Sequence, residues 1–309
     1  LASLAALRTV GSSEDNRIIT ANPLTWIRDV ARRAAQRYGA SALWLEERRS
    51  VATVASVPLC ALKNDVYIAA WDAMYARALR RRGHVLWNGA MDSAVEEEEE
   101  TRATQTSCPG GHVTWSVELG IGQIDIVATL FSQAVQEGDD PSMLALTDRG
   151  IGTHFAILRD LVSSVYSRTL GRDEAAGAVL VNFARWLRCP ASGSYDPAIV
   201  THVNTLVARV LAALLIRITK LGGRIVRADR RSVVIGSSKT SLHECTQFGA
   251  YVLSNLTDNP VLRHLAPSVT RYWANLIVVD REDFIGLAVE PARIQEIAMQ
   301  KADDDAGGD

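Results

Sequence analysis

Between Asp196-Pro197 and Gly222-Gly223 the chain reads as one long helix. The stretch from Val203 to Ile218 inside it is the most apolar run in the sequence. Pro suits a first helical turn and Gly ends one. Arg209 and Arg217 interrupt the run, which is too short to cross a bilayer. We therefore expect a soluble protein. It feeds two short strands, Arg224 to Ala228 and Ser232 to Ile235, joined by a tight polar turn.

The remaining pattern fits around that unit. A helix opens at Asn22-Pro23 and ends at Gly39, and the β-branched residues 50–60 read as a strand stopped by Pro58. An amphipathic helix covers 64–82, His84 to Trp87 is a short strand, and Val113 to Leu119 is another. Helices follow at 123–136, 150–170 and 174–188, and again at 240–257. Val269 to Val279 is the last strand, and residues 280–309 fade into an Asp/Gly-rich tail. This order predicts an α+β fold, a small antiparallel sheet with helices on one face.

Charge and cysteine usage narrow the function. The chain has 33 Lys+Arg against 35 Asp+Glu in 309 residues, a net charge of −2, which disfavours non-specific wrapping of nucleic acid. Cys60, Cys108, Cys189 and Cys245 are far apart and form no CxxC, so neither a zinc or iron–sulfur module nor a disulfide framework is expected. The run Glu96 to Glu100 reads as a solvated connector, and we place the domain boundary there. The expected division is 1–95, a linker at 96–112, 113–290, and an acidic tail at 291–309.

Several segments together resemble a known family. Phe183-Ala-Arg-Trp-Leu-Arg-Cys-Pro190, Tyr195-Asp-Pro197, the helix to Leu221-Gly-Gly and Arg227-Ala-Asp-Arg-Arg-Ser232 resemble the C-terminal half of DNA polymerase epsilon catalytic subunits. Upstream, Val57-Pro-Leu-Cys-Ala-Leu62, Asp72-Ala-Met-Tyr-Ala-Arg77, His84-Val-Leu-Trp87, Thr114-Trp-Ser-Val-Glu-Leu119 and Trp26 fit as well. The resemblance covers roughly residues 20–290. It implies a degenerate B-family DNA polymerase, with a vestigial exonuclease-like part before an antiparallel palm-like sheet and its packed helices. It further implies a non-catalytic scaffold that tethers the polymerase, in the nucleus, to the replicative helicase complex and to the polymerase's own B subunit. No cofactor is implied for this segment; Mg²⁺, zinc and an iron–sulfur cluster would belong to other parts of the parent protein. Residual metal-dependent nucleotidyl transfer and duplex-DNA binding are the alternative functions.

The motif positions carry that inference. Two-metal phosphoryl transfer needs carboxylates from neighbouring strands around ions about 3.5–4 Å apart. Glu118 occupies the first strand, but Leu-Gly-Ile-Gly-Gln follows it and no Ser-Leu-Tyr-Pro-Ser. At the hairpin, Asp229 stands where the first Asp of Gly-Asp-Thr-Asp-Ser would, and Arg231 where the second would. A unit positive charge about 4 Å from a divalent ion is unfavourable by roughly 8 kcal/mol at an effective dielectric near 20, before solvent and side-chain rotation reduce it. We expect Arg231 to pair instead with Glu118 or Asp229. Asp72, after Tyr67, loosely resembles the third exonuclease motif with one residue too many between them, and no Asp-x-Glu occurs in residues 1–60. Two basic clusters remain as candidate partner or DNA contacts: Arg80, Arg81 and Arg82 at a helix C-terminus, and Arg227, Arg230 and Arg231 at the hairpin.

Overall fold

The computed structural model describes residues 25–62, 65–85, 106–132, 148–280 and 283–291. The chain forms two compact units, Leu1–Ser50 and Val51–Asp309. Helix α1, Thr25–Ala55, runs through both. In the first unit Trp26, Ile27, Val30, Tyr38 and Trp44 are exposed, and the Arg48 guanidinium lies 4.3 Å from the Trp44 ring.

Two expectations fail along α1. Gly39 does not end the helix, and residues 51–55 are helical rather than extended. A single Gly costs a helix only about 1 kcal/mol. Val51, Val54 and Ala55 are buried at helical spacing, so packing overrides their β-branched preference. The helix ends where Ser56 turns to φ 52, just before Pro58. Its last carbonyls accept from guanidinium groups: Arg168 bonds Val54 O at 3.2 Å, and Arg77 bonds Ala55 O at 2.9 Å and Ser56 O at 3.0 Å.

The second unit continues with α2 (Val66–Arg81), β1 (Thr106–Ser107), β2 (Gly110–His112), β3 (Ser116–Gly120) and α3 (Ile124–Leu130). Next come α4 (Asp148–Leu170), α5 (Glu174–Val181), α6 (Phe183–Leu187) and α7 (Pro197–Lys220). Then follow β4 (Arg224–Ala228), β5 (Ser232–Gly236), α8 (Leu242–Thr257), β6 (Ser268–Val278) and β7 (Phe284–Val289). His84 and Val85 are not in a strand, and Leu86, Trp87, the acidic run and most of the tail lie outside the described residues.

Helix α7 is the long helix its sequence predicts, and it lies in the core. The Asp196 carboxylate accepts from Ala198 N at 2.9 Å, with Pro197 in the first turn. Val200, Val203, Val207, Val210, Leu214 and Ile218 are buried along it. Gly222 takes φ 87, and a Cβ at Gly223 would lie 2.6 Å from Ile235 and 2.8 Å from Ile218. Only glycine lets α7 turn this tightly into β4.

The strands form one antiparallel sheet in the order β1-β4-β5-β3-β6-β2, with β7 added on β6. The fold is thus α+β with an antiparallel sheet. Val117, Leu119, Val233 and Ile235 join the main core with the helices. The opposite face carries a second cluster of Val226, Val234, Trp273, Leu276 and Val278, with Phe284 against it. The run 106–112 pairs with β4 at its start and with β6 at its end, tying these separated strands together. His112 is fixed at that junction. The Arg224 guanidinium can only donate, so His112 Nδ1 accepts at 2.7 Å and the Nε2–H donates to Cys108 O at 3.2 Å.

Asp173 caps α5 by accepting from Ala176 N at 3.1 Å, and Arg168 donates to it at 2.7 Å. The Ala176 peptide N–H, then Arg168, hold its carboxyl below the ordinary value. The folded value is depressed, so its stabilisation is present above the ordinary carboxylate range and is lost as pH falls through the folded value. An NMR titration of Asp173 should give a midpoint below 3.8; one at or above it would contradict this cap.

Candidate functional site

The palm-like positions converge on the second face of the sheet. Glu118 alternates with the core residues Val117 and Leu119, so it shares that face with Val234, its partner on β5. Arg227 pairs with Val234 from the other side, and Arg271 pairs with Glu118 on β6. The order across the face is therefore Arg227, Val234, Glu118, Arg271.

Both candidate carboxylates are already engaged. Glu118 Oε2 accepts from the Trp273 indole N–H at 2.9 Å. Asp229 Oδ1 accepts from the backbone N–H of Arg231 at 2.6 Å and of Ser232 at 2.7 Å, an Asx turn that closes the hairpin. Its Oδ2 pairs with Arg227 at 2.9 Å, and the same guanidinium lies 4.8 Å from the Phe284 ring. Among the described residues no group of three or more His, Cys, Asp or Glu side chains could hold a metal ion.

The expected role of Arg231 is corrected. Its side chain is exposed, and Arg227 and Trp273 take the partners assigned to it. Arg231 contributes backbone only, donating to Asp229 and accepting from Ile121 N at 2.7 Å. In a tight turn the peptide N–H two residues on lies closer to the Asp carboxylate than that residue's own long side chain.

The hairpin arginines also fail to form one patch. Arg230 points away from Arg227. It donates to Asn204 Oδ1 at 3.0 Å and sits 3.6 Å from Asp125 Oδ1. Arg188 pairs with the same Asp125 oxygen. The three side chains are only 14%, 12% and 28% exposed for Arg230, Asp125 and Arg188. Arg230 therefore works inside the molecule. At the other cluster Arg82 pairs with Asp160 at 2.6 Å, in solvent, where such pairs contribute little. Arg80 and Arg81 are exposed.

Asp72 accepts three hydrogen bonds. It receives the Trp186 indole N–H at 2.9 Å, the Ser192 hydroxyl at 2.5 Å and the Gly193 N–H at 3.1 Å. Near it Tyr75, Trp186, Leu187, Ser194, Asp196 and Ile199 line a recess of only about 10 Å³. That is scarcely room for one water molecule. Burial pushes the Tyr75 phenol up, with Asp196 adding to it. Burial likewise raises the Cys245 thiol, which keeps it an inert core group.

Asp125 and Trp273 were not identifiable as partners from sequence. Arg188 sits within the Arg-Trp-Leu-Arg-Cys-Pro segment, whose spacing was the one available signal.

Comparison with known proteins gives the chain its relatives. A family model, "Domain of unknown function (DUF1744)", matches residues 3–287. A DNA polymerase epsilon catalytic subunit of Arabidopsis thaliana is 27% identical over 286 residues, covering 86% of this chain and 13% of that protein. The corresponding polymerase epsilon protein of Schizosaccharomyces pombe is 23% identical over 296 residues, covering 86% and 14%. That of Saccharomyces cerevisiae is 23% identical over 297 residues, covering 86% and 13%. The chain thus spans about a seventh or less of these relatives. The family B DNA polymerase of Pyrobaculum calidifontis overlays with a TM-score of 0.48 at 12% identity, covering 81% of this chain and 35% of that one. The chain belongs to the DUF1744 family, and it is similar over most of its length to a segment of DNA polymerase epsilon catalytic subunits.

Proposed function

We propose that this chain is a non-catalytic scaffold segment of the DNA polymerase epsilon catalytic chain, built on a degenerate B-family exonuclease–polymerase module. In this reading the parent protein is a DNA-directed DNA polymerase of the nucleus. The segment tethers it to the replicative helicase complex and to its B subunit. The single observation that carries the reading is the fate of the two palm carboxylates. Glu118 is held by Trp273, and Asp229 is spent on its own turn and on Arg227. A metal at Asp229 would have to displace the Arg227 guanidinium and would face its positive charge.

Primer extension by the 309-residue chain with Mg²⁺ or Mn²⁺ tests the inactive site. We expect no extension, and none from Asp229→Ala. The same variant should lose about 1–2 kcal/mol in a urea melt, since two backbone N–H donors of the turn lose their acceptor and Arg227 loses its ion pair. Extension by the unmutated chain that disappears in Asp229→Ala would overturn the non-catalytic reading. For the tether, direct titration with purified B subunit should give saturable binding; its absence, together with no binding to the helicase complex, would remove the scaffold role. A duplex-DNA role has less to stand on. Arg227 and Arg230 are engaged within the chain, which leaves Arg80, Arg81 and Arg231 for phosphates.

A further inference from the structure

Strand β7 is the outer strand of the β6–β7 hairpin, and among the described residues it pairs with β6 alone. Its six residues, Phe-Ile-Gly-Leu-Ala-Val, carry no charge and no proline. Natural edge strands normally use such residues to discourage pairing.

The two faces of the hairpin differ. Phe284 meets Trp273 edge-on at 5.6 Å between ring centres, and a Cβ at Gly286 would lie 3.0 Å from Leu276. Both residues therefore face the second cluster. Ile285 and Leu287 take the other face. Ile277 is paired with Ile285, and Val279 lies two residues beyond it. These four branched side chains are 74%, 66%, 53% and 63% exposed for Ile285, Leu287, Ile277 and Val279. Asp280 and Asp283 stand exposed at one end of this strip and Glu290 at the other.

We propose that β7 is a docking edge that accepts an extended segment of a partner protein, one that alternates apolar and polar residues and carries basic residues at its ends. The backbone edge of β7, unpaired among the described residues, supplies the hydrogen bonds, as in strand addition generally. The apolar side chains of the added strand would extend the strip of Ile285 and Leu287, and its basic ends would face Asp283 and Glu290. A second copy is the poorer occupant. Antiparallel pairing of β7 with β7 about a two-fold axis brings the acidic Asp283 end of one copy beside the acidic Glu290 end of the other, twice. Like charges brought this close across a strand pair are unfavourable. The proposal rests on the hairpin alone and holds whether or not the palm-like face is inactive.

The test uses the 309-residue chain and a labelled peptide, Lys-Val-Thr-Val-Thr-Val-Thr-Val-Lys, titrated by fluorescence anisotropy. A control peptide carries Pro at each Thr position. The first should bind saturably and slow hydrogen exchange in β7; the control should bind at least about tenfold more weakly, since Pro cannot join a ladder. Ile285→Lys and Leu287→Lys should each weaken binding by about tenfold or more. Both positions are exposed, and unchanged circular dichroism confirms the variants as folded. Absent binding, equal binding of both peptides, or unchanged affinity in the variants would overturn the proposal. A dimer by sedimentation that Leu287→Lys abolishes would overturn it in favour of a second copy. Slow exchange without peptide at the outward-facing β7 amides, those not bonded to β6, would overturn it in favour of an edge already covered by this chain.

Discussion

Asp125→Ala should lower the unfolding free energy by about 3–5 kcal/mol, the usual cost of removing one partner from a buried ion pair. The carboxylate sits in the first turn of α3 and faces two guanidinium groups, from Arg188 after α6 and from Arg230 in the β4–β5 turn. Arg230 also bonds Asn204 on α7. One small anion thus joins two helices, a loop and the hairpin. Without it, two cations remain within a few ångströms of each other in a poorly solvated space, and neither can be neutralised by losing a proton. The melting temperature should fall by roughly 10 °C in a unit of this size. Asp125→Asn should fall between the two, because it keeps an acceptor but not the charge. Asp125→Leu combined with Arg230→Met should recover part of the loss, since the repulsion goes with the second cation. A urea melt of Asp125→Ala within about 1 kcal/mol of the unmutated chain would show that the cluster is hydrated and of little structural weight.

The elements that were legible are those whose signals are local. Asp196-Pro197, the apolar spacing from Val200 to Ile218 and Gly222-Gly223 lie within one stretch of chain, and α7 follows them. The hairpin β4–β5 was readable for the same reason. The misses have the opposite character. Val51, Val54 and Ala55 look extended by propensity, but partners on α2 and α4, Arg77 and Arg168, satisfy the end of a helix there. The edge strand β7 follows a connection bounded by Asp280 and Asp283, and its ladder with β6 contains a bulge near Asn275, so its pattern merged with the tail. At the site, the positions Glu118, Asp229 and Arg231 could be named only through the resemblance to B-family polymerase motifs. What those side chains do could not. Trp273 lies 155 residues from Glu118, and Arg188 lies 63 from Asp125. Such pairings depend on sheet register and helix packing, which no short window contains.

Asp72 shows how a residue that resembles part of a catalytic motif can be a structural anchor, and its removal should be the second costly change. Asp72→Ala should destabilise the chain by about 3–4 kcal/mol, because three donors lose their acceptor together. The largest share belongs to Trp186, whose ring is buried and stacked on Trp71 at 5.5 Å and meets Tyr75 edge-on at 5.7 Å. Its indole N–H bonds Asp72 within that apolar packing, whereas the Gly193 N–H is exposed and can turn to water. Ser192 Oγ also accepts from Ser194 N at 3.2 Å, so the loop after α6 loosens with its anchor. Asp72→Asn separates charge from hydrogen bonding. Its Oδ1 can keep Trp186 and Ser192, but its amide group meets the Gly193 N–H donor to donor, and about 1–2 kcal/mol should be lost. Urea melts followed by tryptophan fluorescence measure both variants. If Asp72→Ala instead melted like the unmutated chain while abolishing a metal-dependent nuclease activity, the carboxylate would be a surviving catalytic group. The three hydrogen bonds would then be incidental to it.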